Sequence, residues 1–207
     1  MKGTMKAAVI LAAVPETYYT AYNSLLNLKI CGSDEVLVRG ATSGVGIAFL
    51  KLLKGKYPEI SVTGTSRSEK KREKLLDAGF DHVVLDHENI LQTELCYDRV
   101  LDLISPAAAD DTFSHMKEGG IVCITGLLGG VWTMDHFDPL EDLPENSYLT
   151  SVKSKYVNEQ KMNQMLEYVQ KYQIDVRPEK IFTLEQIREA HAYLDSRQSF
   201  GKVVVVL

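Results

Sequence analysis

The stretch Glu35-Val-Leu-Val-Arg-Gly40-Ala-Thr-Ser-Gly44-Val-Gly46-Ile-Ala-Phe-Leu-Lys-Leu-Leu53 decides the fold. Val36 to Val38 is a short apolar run, Gly40 to Gly46 a glycine-rich turn, and Ile47 to Leu53 the opening of an apolar-rich helix. A strand that turns tightly into a helix exposes the first backbone N–H groups of that helix, which carry partial positive charge and attract phosphate. Glycine lets the backbone turn sharply and approach an anion closely. The pattern predicts a dinucleotide site. Against the fingerprint G-x-G-x-x-G, Ala41 and Ser43 stand at the first two glycine places and only Gly46 remains, with Gly40 and Gly44 beside them. The alternative at this point is a glycine-rich turn that binds nothing.

Outward from this turn, strands and helices alternate. Pro15 to Leu28 reads as a helix with proline in its first turn and Tyr18, Ala21, Tyr22, Leu25 and Leu26 near one face. Ile60 to Gly64 is a second strand. Ser68 is placed as the N-cap of a charged helix ending near Gly79. Val83 to Leu85 and Asp98 to Leu103 are further strands, Pro106 to Met116 a helix closed by Gly119 and Gly120, and Ile121 to Thr125 a fifth strand. Glu159 to Tyr172 and Leu184 to Leu194 read as helices, and Lys202 to Leu207 as a last strand. Near-continuous apolar strands separated by helices imply an α/β fold: a doubly wound parallel sheet of Rossmann type in three α/β/α layers. In such sheets ligands bind beyond the carboxyl ends of the strands, at the topological switch point. Four loops fall there: Gly40–Gly46, Ser66-Arg67, Ser105-Pro106 and Gly126-Leu127-Leu128-Gly129-Gly130. Val131 to Asn146 is a long irregular loop, of the kind that often carries function.

Composition narrows the classes. The 207 residues are 45% hydrophobic and 25% charged, as in ordinary globular proteins, and the net charge of −5 argues against nucleic acid as a partner. Cys31, Cys96 and Cys123 are odd in number and form no C-x-x-C, which fits a reducing cytoplasm. Ala7 to Val14 is too short to span a membrane. It follows Lys2 and Lys6 as a signal peptide would, but Pro15 and the helix after it argue against that reading.

The second strand bears on the nucleotide. An NAD-type site carries an acidic residue about 20 residues beyond the glycine turn, on the ribose 2′-hydroxyl. Here that place reads Thr65-Ser66-Arg67-Ser68-Glu69-Lys70-Lys71-Arg72, with no carboxylate directly after Gly64. Ser66 offers a hydroxyl, Arg67 a planar fork and Lys71 a point charge, a set suited to a 2′-phosphate. Lys70 and Arg72 read instead as a solvated face beside Glu69 and Glu73. A methyltransferase also uses a glycine turn, but needs an acidic residue where Ser66-Arg67 stands.

The ordered series of motifs resembles the cofactor-binding half of the medium-chain dehydrogenases/reductases, in the zinc-independent quinone-oxidoreductase-like branch. It is carried by Ala13-Val-Pro-Glu-Thr-Tyr-Tyr-Thr20-Ala21-Tyr, Val38-Arg-Gly40-Ala-Thr42-Ser43-Gly44-Val-Gly46, Ala78-Gly79-Phe-Asp81-His82-Val83-Val, Val100-Leu-Asp102, Gly119-Gly120-Ile-Val-Cys-Ile-Thr-Gly126, Phe182-Thr-Leu-Glu-Gln-Ile-Arg-Glu-Ala190-His191 and Phe200-Gly201-Lys202-Val-Val-Val, and it covers about residues 12–207. The resemblance implies NADPH as hydride donor and a quinone or α,β-unsaturated carbonyl as acceptor. It implies that Ser66, Arg67 and Lys71 hold the 2′-phosphate, and that the turn Thr42, Ser43, Gly44, Val45 and Gly46 meets the pyrophosphate. Ser105, Gly126, Leu127 and Leu128 would flank the ribose and nicotinamide, with Thr20 near the nicotinamide and Lys202 near the mouth of the cleft. A tyrosine that often follows the third strand is replaced by Asp86, which would repel a 2′-phosphate unless His87 offsets it. Cofactor domains of this kind commonly pair through their sheets, so a homodimer is expected.

The resemblance departs at the start. Family members carry an antiparallel-β catalytic domain before the entry helix, where this chain has about a dozen residues. Met5-Lys-Ala-Ala-Val-Ile10 looks like the start of such a domain, so residues 1–14 are expected to be either its remnant after a natural deletion or an N-terminus made by cutting the gene, and residues 15–207 one dinucleotide-binding domain including the C-terminal helices and last strand.

Other chemistry finds less support. Tyr156 with Lys161 and Tyr168 with Lys171 miss the Tyr-x-x-x-Lys spacing of a short-chain reductase. No H-E-x-x-H, Cys/His cluster or G-x-S-x-G occurs. Asp135-His136 with Asp138 reads as a solvated loop rather than a metal site, and His82, His115 and His191 as structural. Trp132 and Phe137 either line a substrate pocket or anchor the loop. Two function classes stand: an NADPH-dependent oxidoreductase, and a free-standing nucleotide-binding or dimerisation module without catalysis.

Overall fold

The computed structural model describes residues 9–155, 157–196 and 198–207. The readings on Lys2, Lys6 and Tyr156 lie outside these residues, as does most of Met5–Ile10. The chain begins its first βα unit with the entry helix α1, Pro15–Asn27, strand β1, Glu35–Arg39, and helix α2, Gly44–Lys56. Strand β2, Ser61–Ser66, helix α3, Arg72–Ala78, and strand β3, His82–His87, follow. Ser68 takes the N-cap position of the turn before α3, yet its side chain makes no capping hydrogen bond. Gly79 ends α3 in the left-handed region (φ 109°), as its sequence position suggests.

Beyond β3 the reading needs correction. The pair Ile90–Leu91 forms a short strand, β4, antiparallel to β3. Strand β5 is Tyr97–Asp102. The expected helix to Met116 shrinks to a 3₁₀ turn at Ser105–Ala108 and the short helix α4, Ala109–Ser114. Gly119 and Gly120 do not close it. They lie inside strand β6, Met116–Ile124, where the register against β5 shifts between Tyr97 and Arg99. Gly119 has φ +73°, and a Cβ on Gly120 would stand 2.7 Å from the Lys117 carbonyl. The two glycines therefore serve a bulge. Strand β7, Tyr148–Ser151, helix α5, Glu159–Lys171, strand β8, Lys180–Thr183, helix α6, Ile187–Asp195, and strand β9, Val203–Val206, complete the chain.

The main sheet has the order β4-β3-β2-β1-β5-β6-β7 and is parallel apart from the β3–β4 pair. Alternate residues of β1 serve opposite faces, as strand geometry dictates. Val36 and Val38 pack with Tyr18 and Leu25 of α1, Phe49 and Leu53 of α2 and Met165 of α5. Leu37 faces the other way, with Val100, Val122 and Phe113 of α4, backed by Met134 and Phe137 from the long loop. The result is the expected doubly wound α/β/α arrangement, with one heavily built helical layer and one thin one. Strands β8 and β9 form a separate two-stranded parallel sheet, against which Val9 and Ala13 of the helical residues 9–13 pack.

Candidate nucleotide site

The chain runs outward from β1 to β2 and β3, then crosses back to add β5 on the other side of β1. The crevice lies beyond the carboxyl ends of these strands. Gly40 (φ +81°) swings the backbone out of β1, where the amide of Ser43 donates to the Gly40 carbonyl at 3.1 Å. Ser43 then caps α2, its Oγ accepting from the Gly46 amide at 3.1 Å. Gly44 and Val45 occupy the first turn, whose amides have no carbonyl four residues back to donate to. Gly46 lies buried beneath the turn. A Cβ there would stand 2.7 Å from the Ala41 carbonyl oxygen and 2.9 Å from that of Gly40. Close approach of helix to strand is thus the property that glycine serves here.

Two cavities meet over this turn and share Ser43, Leu128 and Leu194. The larger, about 900 Å³, is mostly apolar and takes in Thr20, Gly44, Val45, Gly126, Leu127, Leu128, Trp132 and Lys202. The smaller, about 240 Å³, takes in Thr42, Ser66, Arg67, Lys71 and Asp86. The 126–129 segment is pinned to the end of β5: Leu128 N donates to Leu103 O and Gly129 N to Ile104 O. The chain's last residues close over the turn. Gly201 N donates to Thr42 O at 3.0 Å, and Lys71 Nζ donates to Ser199 O at 2.8 Å.

Most of the residues singled out by sequence thus face one crevice, and two do not. Gly46 is packed under the turn rather than presented to it. Ser105 is fully buried with φ +62°, its amide donating to Asp102 Oδ1 at 2.7 Å and its hydroxyl to Asp102 O. Its neighbours Ile104 and Pro106 line the cavities instead. The Ser66 hydroxyl is already engaged in its own turn, donating to Ser68 O and accepting from Ser68 N. That of Thr20 pairs with Ser154 Oγ at 2.7 Å. Trp132, 79% exposed, lines the larger cavity. Phe137 anchors the loop against Phe113, ring centroids 5.5 Å apart. Burial, with Arg67 and Lys74 nearby, lowers the Lys71 pKa from its ordinary value.

Sequence reasoning missed Arg39. Its guanidinium is fully buried beneath the smaller cavity, at the end of β1. Nε and Nη2 donate to the two oxygens of Asp86 at 2.8 and 3.2 Å, and Nη1 reaches Asp111 and Thr112 at 2.8 Å. Burial alone would weaken this cation's hold on its proton, but Asp86, Asp102 and Asp111 together raise its pKa. Asp102 is also buried, which raises its pKa despite bonds from Ser105 N and Thr112 Oγ1. The offset to Asp86 assigned to His87 therefore comes from Arg39, and His87 is exposed. The only sequence signal was a lone arginine after three aliphatic residues at the end of a parallel strand.

Comparison with known proteins agrees with this architecture. The family model described as zinc-binding dehydrogenase matches residues 78–205. Over 94% of its length the chain is 22% identical to probable polyketide synthase 14 of Dictyostelium discoideum, covering 7% of that protein. It is 29% identical, over 94% of its length, to the chloroplastic NADPH-dependent alkenal/one oxidoreductase of Arabidopsis thaliana, covering 46% of it. It is 26% identical, over 95% of its length, to the quinone oxidoreductase of Lama guanicoe, covering 62%. The chain thus spans less than two thirds of each of these relatives. Among solved structures, Bacillus subtilis protein yhfP with NAD bound superposes at a TM-score of 0.80 and 19% identity, over 96% of this chain and 63% of that one. Among the described residues no three His, Cys, Asp or Glu side chains are grouped to hold a metal ion, so these residues do not fit a zinc site. Nor is any helix among them long and apolar enough to cross a membrane.

Proposed function

The chain belongs to the zinc-binding dehydrogenase family, and on that premise we propose that it is the NADPH-binding part of an oxidoreductase that passes hydride to a quinone or an α,β-unsaturated carbonyl. The observation that carries this reading is the division of one crevice into a cationic end and an apolar end on either side of a helix N-terminus. Arg67 and Lys71 suit a 2′-phosphate, with the Ser66 hydroxyl, bonded to the amide and carbonyl of Ser68, shaping the loop that carries them. The amides of Gly44 and Val45 suit a pyrophosphate. Bound this way, the cofactor supplies a nicotinamide able to deliver hydride. Leu103 and Leu127, with Trp132 at the rim, would give that ring an apolar wall on one side. Thr20, held by Ser154, offers a fixed hydroxyl at the same end. The NADPH-dependent and quinone-reducing relatives support the choice of donor and acceptor class.

Two further parts of the reading are a homodimer formed through the main sheet, checked by light scattering, and residence in a reducing cytoplasm, for which three unpaired cysteines are the support. A second reading, a nucleotide-binding or dimerisation module without turnover, is favoured by the open outer side of the larger cavity, where Trp132 stands exposed. Calorimetric titration with NADPH and, in parallel, NADH tests the first. Clearly tighter binding of NADPH is expected, and binding of neither overturns it. Reduction of a quinone by NADPH separates the enzyme from the module.

A further inference from the structure

We infer that Arg39 sets the nucleotide preference of this site without touching the nucleotide, by holding both oxygens of Asp86 and so cancelling the one carboxylate that, among the described residues, lines the 2′-phosphate cavity. The inference rests on the NADPH reading above. A carboxylate at the end of a strand in such a sheet accepts ribose hydroxyls and repels a phosphate attached to them. Asp86 stands at that kind of position, near the end of β3, and lines the same small cavity as Arg67 and Lys71. Left alone it would oppose them. It is not left alone: Arg39 meets it through two hydrogen bonds from a fully buried guanidinium.

The geometry also says that Arg39 acts only through Asp86. Its remaining N–H groups are spent on Asp111, Thr112, the Ala108 carbonyl at 3.1 Å and the Asn89 carbonyl at 2.6 Å. None is free to turn toward a phosphate. Arg39 is thus a positioning residue. With Asp86 answered by Arg39, the charge that lines the cavity is that of Arg67 and Lys71; Asp111 and Asp102, which share Arg39, do not line it. A buried charge left without its partner acts at low effective dielectric and is felt strongly by a neighbouring ion.

The test is a charge cycle read as the ratio of NADPH to NADH affinity by calorimetry, with thermal unfolding of each variant as a check on folding. Arg39→Met is expected to lower the ratio at least about tenfold, because it frees the Asp86 carboxylate. Asp86→Asn is expected to leave the ratio within about threefold of the unaltered chain, because the carboxylate it removes is already answered and Arg39 keeps Asp111. The double variant is expected to return it to within about threefold of the unaltered chain, since without the Asp86 carboxylate Arg39 has nothing in the cavity to answer. A purely structural arginine would lower both affinities together and leave the ratio alone. An unchanged ratio in Arg39→Met overturns the inference while leaving the NADPH reading in place. If Arg39→Met fails to fold, the other two variants decide: a double variant whose ratio falls about tenfold or more below that of Asp86→Asn shows Arg39 acting by a route other than Asp86, and overturns it. Binding of neither nucleotide by the unaltered chain overturns the reading and the inference with it.

Discussion

Replacing Gly46 by alanine sets two effects of opposite sign against each other, and the structure gives their sizes. Gly46 is the third residue of α2, and alanine is the better helix former by about 1 kcal/mol in a helix interior, less in a first turn. Propensity alone thus predicts a more stable protein. The new methyl, however, would stand 2.7 Å from the Ala41 carbonyl oxygen and 2.9 Å from both Ala41 Cα and the Gly40 carbonyl oxygen. All three atoms are backbone of the turn, so no side-chain rotation relieves the clash. Overpacking of a rigid site costs about 1–3 kcal/mol, and the upper half of that range applies here. The net expectation is a loss of about 1–2 kcal/mol, or a fall in melting temperature of about 2–8 °C for a chain of this size. Gly44→Ala is the matched control. Its methyl would meet Thr17 Cγ2 at 3.5 Å and Gly201 O at 3.6 Å, which are ordinary contacts. Its stability should lie within about 0.5 kcal/mol of the unaltered chain. Thermal unfolding by circular dichroism reads both. A Gly46→Ala protein that melts at or above the unaltered chain would refute the close-approach argument.

Three further outcomes follow from the same geometry. Arg67→Ala and Lys71→Ala should each weaken NADPH binding by about tenfold or more while changing NADH binding little; equal losses for both nucleotides would count against a 2′-phosphate role. Ser43→Ala removes the hydroxyl that caps α2 and should cost about 1 kcal/mol in urea unfolding; no loss would mean that water replaces the cap. Acidification should destabilise the fold below about pH 4. Asp175 is held at about 2, first by its hydrogen bond from Arg177. For Asp81 and Asp98 burial works the other way, yet the bonds from Lys54 and the Val62 amide, and from the Glu35 amide and Lys117, hold both below the ordinary range. Depressed folded-state values mean that their contribution is present above the unfolded carboxylate pKa and lost as pH falls through the folded ones. Stability flat from pH 5 to 2 would contradict this.

The elements visible in the sequence are those whose apolar pattern is long. The β1–turn–α2 unit, α1 and α5 run close to where the residues suggest, because each buries a whole face in one core. Strand β4 is only two residues, and β7 reads Tyr148-Leu-Thr-Ser, too short and too polar to announce itself. The pair Gly119-Gly120 was misread because a bulge inside a strand and the end of a helix both call for glycine. The crevice was legible where it depends on residues near strand ends, such as Arg67, Lys71 and Leu128. It was illegible where side-chain pairings outside the apolar pattern decide. Ser105 is turned inward by the carboxylate of Asp102, and Asp86 is answered by Arg39, 47 residues away. Neither pairing leaves a periodic trace.

The return of the last residues to the glycine turn has a kinetic consequence. Lys71 and Ser199 are 128 residues apart in sequence, and Gly201 bonds to Thr42 across a still longer loop. Contacts of such high order form late, because the entropy of closing the intervening chain is lost before the contact rewards it. During synthesis, β1 and α2 emerge well before residues 199–201, so the closure of the crevice waits for that segment to leave the ribosome. On the proposed reading, a ligand held across both cavities waits for this closure, which makes ligand capture a reporter of the docking of residues 199–201.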